Sequence, residues 1–203
     1  MLPPIVSRTG RCFGFAFLCG ATIAPLGDHF HVARGVTEYL TDFGPIWIGN
    51  SPLWFVLLVA GFMASLSVFR GRLGASWDRP GEVSSPVDDR WVFGSPLMVL
   101  ALYLTTSFYP WRDGGSLEAI ITAGAAAMYV ALDRTRTAWI VGAAVAVGAT
   151  AFEWGMMQLG VFRYLGGSDE LFGVAPWLLP LYFAASVSVG AVGRRMLGVD
   201  TRG

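Results

Sequence analysis

Apolar residues gather along this chain in six runs separated by short polar stretches. A hydrocarbon slab about 30 Å thick needs about 20 apolar residues for each helix that crosses it. The runs are of that order: Cys12 to about Leu26, Ile46 to Phe69, Trp91 to Trp111, a shorter one from Leu117 to Leu132, Thr137 to Gly160, and Phe172 to Gly193. They fill well over half of the 203 residues and leave no room for a separate soluble catalytic domain. The pattern predicts an all-α membrane protein, one domain over 1–203 folded as a six-transmembrane-helix bundle.

The punctuation between the runs refines this. Gly, Pro, Ser and mixed charges in "RGRLGASWDRPGEVSSPVDDR", residues 70 to 90, predict a flexible connection whose arginines meet anionic headgroups. Ser116 is placed to cap the fourth helix, with Glu118 in its first turn, where a carboxylate suits the helix dipole. Small residues crowd "TAGAAAM" (122–128) and "VGAAVAVGATA" (141–151), so the fourth and fifth helices are expected to pack closely as a hairpin. Trp47, Trp91, Trp111 and Trp177 fall near the ends of runs, where amphipathic rings anchor a protein at the membrane interface. No internal repeat stands out, which disfavours the repeat-built transporters.

Composition agrees: 54% of residues are hydrophobic and 14% charged, against about a quarter charged in soluble domains. All fourteen basic residues are arginine, a sign of a GC-rich genome. With six alternating crossings, Arg8, Arg11, Arg70, Arg72, Arg79, Arg90, Arg134, Arg136, Arg194, Arg195 and Arg202 share one side. Only Arg34, Arg112 and Arg163 face the other. This bias predicts that both termini are cytoplasmic. The net charge of zero is no objection, because acidic residues hardly govern orientation. Cys12 and Cys19 lie on one helix, about 10 Å apart, too far for a mutual disulfide. No small-x-small cleavage site follows the first run, which is read as an uncleaved helix.

Polar residues inside the runs collect towards the non-cytoplasmic side: Asn50 and Ser51, Thr105 and Thr106, Glu153 and Gln158. The gradient predicts an amphiphile-sized cavity, apolar below and hydrogen-bonding above, open to the outer leaflet or sideways to lipid. The bland alternative is back-bonding hydroxyls and interhelical amides. Glu153 lies sixteen residues beyond Thr137, about 24 Å along the helix. A carboxyl at that depth must face the bundle and find a donor, for which His29 and His31 of "GDHFHVARG" are the candidates. A metal on Asp28, His29 and His31 is not expected, since two histidines two apart need an irregular backbone to converge. Phosphate-binding glycine loops and an intramembrane protease pair are absent, and no nucleic-acid partner, cofactor or catalytic residue is expected.

The stretch "ALDRTRTAWIVG" holds the densest charge between two runs. The positive bias accounts for Arg134 and Arg136, but Asp133 opposes the dipole at a helix C-terminus, so Arg136 or another protein should offset it. This stretch resembles the Insig signature Asp-Arg-Ser-Arg-Ser after the fourth membrane helix, with threonines for serines. "QLGVFRYL" (158–165) is similar to the family's Asn-Gly-Val-Tyr-Gln-Tyr stretch at Gly160, Val161 and Tyr164. "WLLPLYFAASVSVGAVGRRM" (177–196) resembles its last helix at Trp177, Leu178, Phe183, Val187, Val189, Gly190, Gly193 and Arg194. The resemblance covers 117 to 198 and is only topological before that.

That resemblance implies a non-enzymatic regulatory membrane protein with six helices and cytoplasmic termini. Insig proteins bind oxysterols within the bundle and retain the sterol-sensing partners Scap and HMG-CoA reductase. The family's partner-binding aspartate matches Asp133, which with Arg134 and Arg136 would form a partner surface. Three positions depart from the family: Ser116 stands for a sterol-contacting glutamine, Tyr129 for a tryptophan, and Glu153 for an uncharged residue. A sterol or another neutral lipid with one or two hydroxyls, such as a diacylglycerol, would suit the cavity, with Ser116 and Tyr129 among the lipid contacts. The location expected is the inner membrane of a bacterium, or the endoplasmic reticulum of a eukaryote, and a homo-oligomer is permitted by the small-residue faces. Two rivals remain: a small proton-coupled transporter using Glu153, and a lipid-modifying enzyme built on Asp28, His29, His31 and Glu153. The enzyme needs those four groups within about 8 Å of one another to cooperate directly or through one water.

Overall fold

The computed structural model describes residues 7–41, 44–78, 87–109 and 115–198. Its helices follow the expected order: α1 (Arg8–Ala33), α2 (Leu53–Trp77), α3 (Asp89–Phe108), α4 (Ser116–Leu132), α5 (Arg136–Gln158) and α6 (Leu178–Leu197). Four short strands are added: β1 (Thr37–Tyr39), β2 (Trp47–Ile48), β3 (Ser51–Pro52) and β4 (Phe162–Tyr164). They form two antiparallel ribbons, β1 with β4 and β2 with β3, so the chain is mostly rather than wholly helical.

The ends of the helices moved where polar residues found distant partners. The first run was expected to stop near Leu26, but α1 continues to Ala33, because Asp28 and His31 bond inward to Ser51 and Thr106. The second helix starts later than Ile46. Residues 47–52 instead make a hairpin whose Gly49, at φ 63°, occupies the first position of its two-residue turn, where a left-handed backbone needs glycine. α2 then runs on to Trp77 through the first part of the expected flexible connection. Residues 79–86 of that connection lie outside the described residues, with Arg79, and so do Trp111, Arg112 and Arg202. The last helix starts at Leu178, not Phe172. Gly115, not Ser116, occupies the N-cap of α4, with no side-chain capping bond.

Among the described residues, four stretches are long and apolar enough to cross a membrane: Arg8–Ala33, Leu53–Gly74, Asp89–Phe108 and Arg136–Gln158. α4 is apolar but shorter, at 17 residues. α6 is the central helix, buried continuously from Ser186 to Arg194 and packed against α1 to α5. Surrounded by protein, it carries Ser186, Ser188, Gly190 and Gly193 where a lipid-facing helix would carry bulky apolar groups. At its crossing with α2, a methyl group added to Gly193 would lie 1.9 Å from the carbonyl oxygen of Ser67, so the two backbones touch. Ser67 donates to the Val189 carbonyl there, at 2.8 Å. Cys12 packs at the same level, its sulfur 3.4 Å from the Ser67 hydroxyl, and both cysteines are free.

The helices leave two distinct ends. The basic end holds the N-terminus of α1, the α4–α5 turn and the C-termini of α2 and α6, and the ribbon end holds the β ribbons. Trp177 is not an interface anchor: it is 1% exposed and packs edge-on against His31 and Tyr164. Trp47 and Trp91 are exposed.

Candidate ligand-binding cavity

A cavity of about 880 Å³ runs between α2, α5 and α6, with α1 and α3 closing its back. That is the size range of small-molecule sites, about 300–1,000 Å³. Its opening follows directly from the helix faces. Leu58, Phe62 and Phe69 of α2, and Ile140 and Phe152 of α5, line the cavity and are also exposed on the outside of the bundle. α2 and α5 therefore diverge, and the space between them gives sideways onto the surface that apolar side chains cover.

From Trp77 at the basic end to Ile23 the wall is apolar apart from Ser186, and its other polar side chains collect at the ribbon end. There Glu153 of α5 accepts hydrogen bonds from two phenols, Tyr164 of β4 on Oε2 and Tyr182 of α6 on Oε1. The β1–β4 ribbon is what carries Tyr164 back over the end of α5, with Thr37 opposite it in register. Burial, then the adjacent carboxyl, push the Tyr164 phenol well above its ordinary value, so it remains a donor. His31 also lines this end, its Nε2 2.7 Å from Thr106 Oγ1. Thr106 gives its own proton to the Tyr103 carbonyl, at 2.6 Å, which assigns the donated proton of that contact to His31 Nε2.

Behind the cavity wall a second acid is held separately. Asp28 Oδ2 accepts from Ser51 at 2.5 Å and from Tyr39 at 2.9 Å. Burial, then the Asp28 charge, raise the Tyr39 phenol far above its ordinary value and keep it a donor.

The basic end contains a different cluster. Arg70 of α2 reaches Asp78 at 3.1 Å and Asp133 at 2.9 Å, while Arg194 of α6 reaches the same two acids at 2.9 Å each. All four side chains are at most 4% exposed. Thr135 completes the network: it accepts from Arg70 at 2.7 Å and from the Ala138 amide at 3.1 Å, and donates to Asp133 at 2.8 Å. Two arginines and two aspartates cancel, so α2, α6 and the α4–α5 turn are joined by a neutral, hydrogen-bonded core.

Comparison with known proteins decides the family. No family model matches the chain. An INSIG protein homolog from Mycolicibacterium vanbaalenii is 39% identical over 177 residues, 87% of this chain and 82% of that protein. The chain belongs to the Insig family. The crystal structure of the mycobacterial Insig homolog MvINS superposes with a TM-score of 0.80 at 36% identity, covering 100% of this chain and 99% of that one. A cross-linked trimer of an arginine-to-cysteine variant of MvINS also gives 0.80, at 35% identity and the same coverage.

Within this Insig protein, of the eight residues expected to contact lipid, Glu153 alone lines the cavity. Thr106 stands one bond behind the wall, through His31. Ser51 serves Asp28, and Asn50 donates to the His29 carbonyl at 3.3 Å. Thr105 bonds back to the Ala101 carbonyl of its own helix, the bland alternative. Gln158 is exposed at the end of α5, and Ser116 lies at the start of α4 away from the cavity. Tyr129 is at the opposite end of the molecule, donating to the carbonyls of Arg134 and Thr135, each at 3.2 Å. Asp133 is not a surface acid: it is 1% exposed and neutralised by Arg70 and Arg194 rather than by Arg136. Arg134 and Arg136 are exposed.

The partners expected for Glu153 were histidines, and tyrosines fill that role. His29 and His31 both lie in regular helix, where residues two apart point to different sides. Asp28, His29, His31 and Glu153 make no hydrogen bond with one another, and among the described residues no three acids, histidines or cysteines group as a metal site. Tyr103, Tyr164 and Tyr182, which line the cavity, are not among the lipid contacts that the sequence pattern predicts. The available signal was an intramembrane acid with three tyrosines at the same depth.

Proposed function

We propose that this Insig-like membrane protein holds a sterol or other neutral hydroxylated lipid, diacylglycerol-like in shape, in the cavity between α2, α5 and α6, and that it acts by binding rather than by catalysis. The observation that carries this reading is the sideways-open cavity, largely apolar along its length with most of its polar side chains at one end. A lipid could enter between α2 and α5, lay its chains along the apolar wall and bring its hydroxyls to Glu153, Tyr164 and Tyr182. No cofactor is needed for such a role.

The same proposal includes six crossings with both termini cytoplasmic, in the inner membrane of a bacterium. The arginine distribution and the bacterial relative support it. A regulatory partner would meet the exposed Arg134 and Arg136 at the basic end, not Asp133. A homo-oligomer is favoured by the trimer crystallised for MvINS.

Mass spectrometry of the full chain purified from its own membranes tests the lipid reading. The expected result is a co-purifying neutral lipid, lost in Ala144→Trp, which plugs the seam between α2 and α5. Absence of any bound lipid, or retention of it at full level in Ala144→Trp, would overturn the reading. The proton-coupled transporter is the second reading, favoured by a carboxyl facing the cavity. Uptake into proteoliposomes that vanishes in Glu153→Gln is its signature.

A further inference from the structure

At the basic end the acids are spent and two arginines beside the cavity are not. Asp78 and Asp133 are sealed between Arg70 and Arg194, and Asp89 pairs with Arg195. Arg72 of α2 and Arg136 of α5 are exposed and make no ion pair or side-chain hydrogen bond among the described residues. They are brought to one level because the Arg70 guanidinium of α2 meets the hydroxyl of Thr135, the N-cap of α5, at 2.7 Å. Each also borders the seam between these helices. Arg72 is three residues from Phe69 and Arg136 four from Ile140, spacings that make neighbours on a helix surface. Phe69 and Ile140 line the cavity and are themselves exposed. The exposed indoles of Trp77 and Trp139 continue the two rims. Two free guanidiniums and two indoles thus flank one apolar groove, and the ion cluster behind them is neutral and does not repel an anion.

We propose that this end of the seam is a binding site for an anionic phospholipid of the leaflet that meets the basic end: Arg72 and Arg136 hold its phosphate, and an acyl chain lies on the outer groove across Phe69 and Ile140. The site is outside the cavity and does not depend on what the cavity holds. A guanidinium suits phosphate because it donates two parallel hydrogen bonds to the oxygens, and an indole is at home at headgroup depth. An excess of arginine on one side would by itself give only a diffuse attraction. Arg90 and Trp91 of α3, both exposed, offer the same chemistry on a helix packed against α1, α4 and α6, away from the α2–α5 seam. What distinguishes Arg72 and Arg136 is the groove between them. Arg134, in the turn, is left for the partner surface.

The test loads the full chain in detergent with phosphatidylglycerol and with phosphatidylcholine of the same acyl chains, and reads retained lipid by native mass spectrometry. Phosphatidylcholine carries the same phosphate with a cation beside it, so the wild type is expected to prefer phosphatidylglycerol by about five-fold or more. Arg72→Gln and Arg136→Gln should each weaken phosphatidylglycerol about five-fold, the usual worth of one arginine near an anionic surface. Arg90→Gln removes the same charge from the same end and should change it by less than about two-fold. Diacylglycerol in excess should leave phosphatidylglycerol bound. Equal retention of the two phospholipids by the wild type, or an unchanged ratio in Arg72→Gln and Arg136→Gln, overturns the site. An effect of Arg90→Gln as large as that of the seam arginines shows a diffuse basic collar and overturns its location. Displacement by diacylglycerol places the phospholipid inside the cavity and overturns it equally, whereas a chain that holds phosphatidylglycerol at the seam but no neutral lipid sinks only the cavity reading.

Discussion

At the basic end Asp78 and Asp133 meet two arginines, whereas at the ribbon end Asp28 and Glu153 meet hydroxyls. The first pair is neutralised and saturated by cations from two helices. The second is satisfied without a counter-charge, and Glu153 faces open space. A buried acid closed off by arginines on every side is building the fold. One held by donors alone, at the mouth of a cavity, keeps the capacity to bind something else. Burial by itself would have ranked Asp133 and Glu153 alike, and their partners separate them.

Breaking the basic end should have the largest effect. Asp133→Ala leaves two buried guanidiniums short of an acid, and loss of one partner from such a cluster costs about 3–5 kcal/mol. Thermal unfolding in detergent should show a large drop in melting temperature, and an unchanged value would remove the structural role assigned to Asp133. At the crossing beneath this cluster, Gly193→Ala forces a methyl group against the Ser67 carbonyl. A cost of about 1–3 kcal/mol is expected, visible in the same measurement.

The ribbon end should respond less. Tyr182→Phe removes one of the two phenol donors of Glu153, and about 1 kcal/mol is the usual net worth of such a bond. A loss as large as that from Asp133→Ala would show that the two ends are not different in kind. Smallest of all should be Arg134→Ala, at an exposed position of the basic end, within about 0.5 kcal/mol. If its stability is untouched while a partner pulled down with the wild type is lost, the interaction surface is the turn's outer face rather than its aspartate.

Much of this architecture was legible in the residues. The apolar runs located each helix, and "DRTR" and the last run carried the family resemblance. The site was less legible. Asn50, Ser51 and Thr105 are polar at the right depth, but depth does not say which way a side chain points, and each turned to the protein's own acid or backbone. The sequence around Asp133 points outward because its neighbours are arginines at an exposed turn, while its actual neutralisers lie 63 and 61 residues away.

The amino-acid order alone determined that there would be six helices, because helix formation and membrane hydropathy are summed over residues close in the chain. It also determined the arginine asymmetry, which is a property of composition along the chain. Only the tertiary structure decided where α1 and α2 end, which acid faces the cavity and which is sealed. Those outcomes depend on single hydrogen bonds between residues as far apart as Arg194 and Asp78, 116 positions, and no local pattern encodes them.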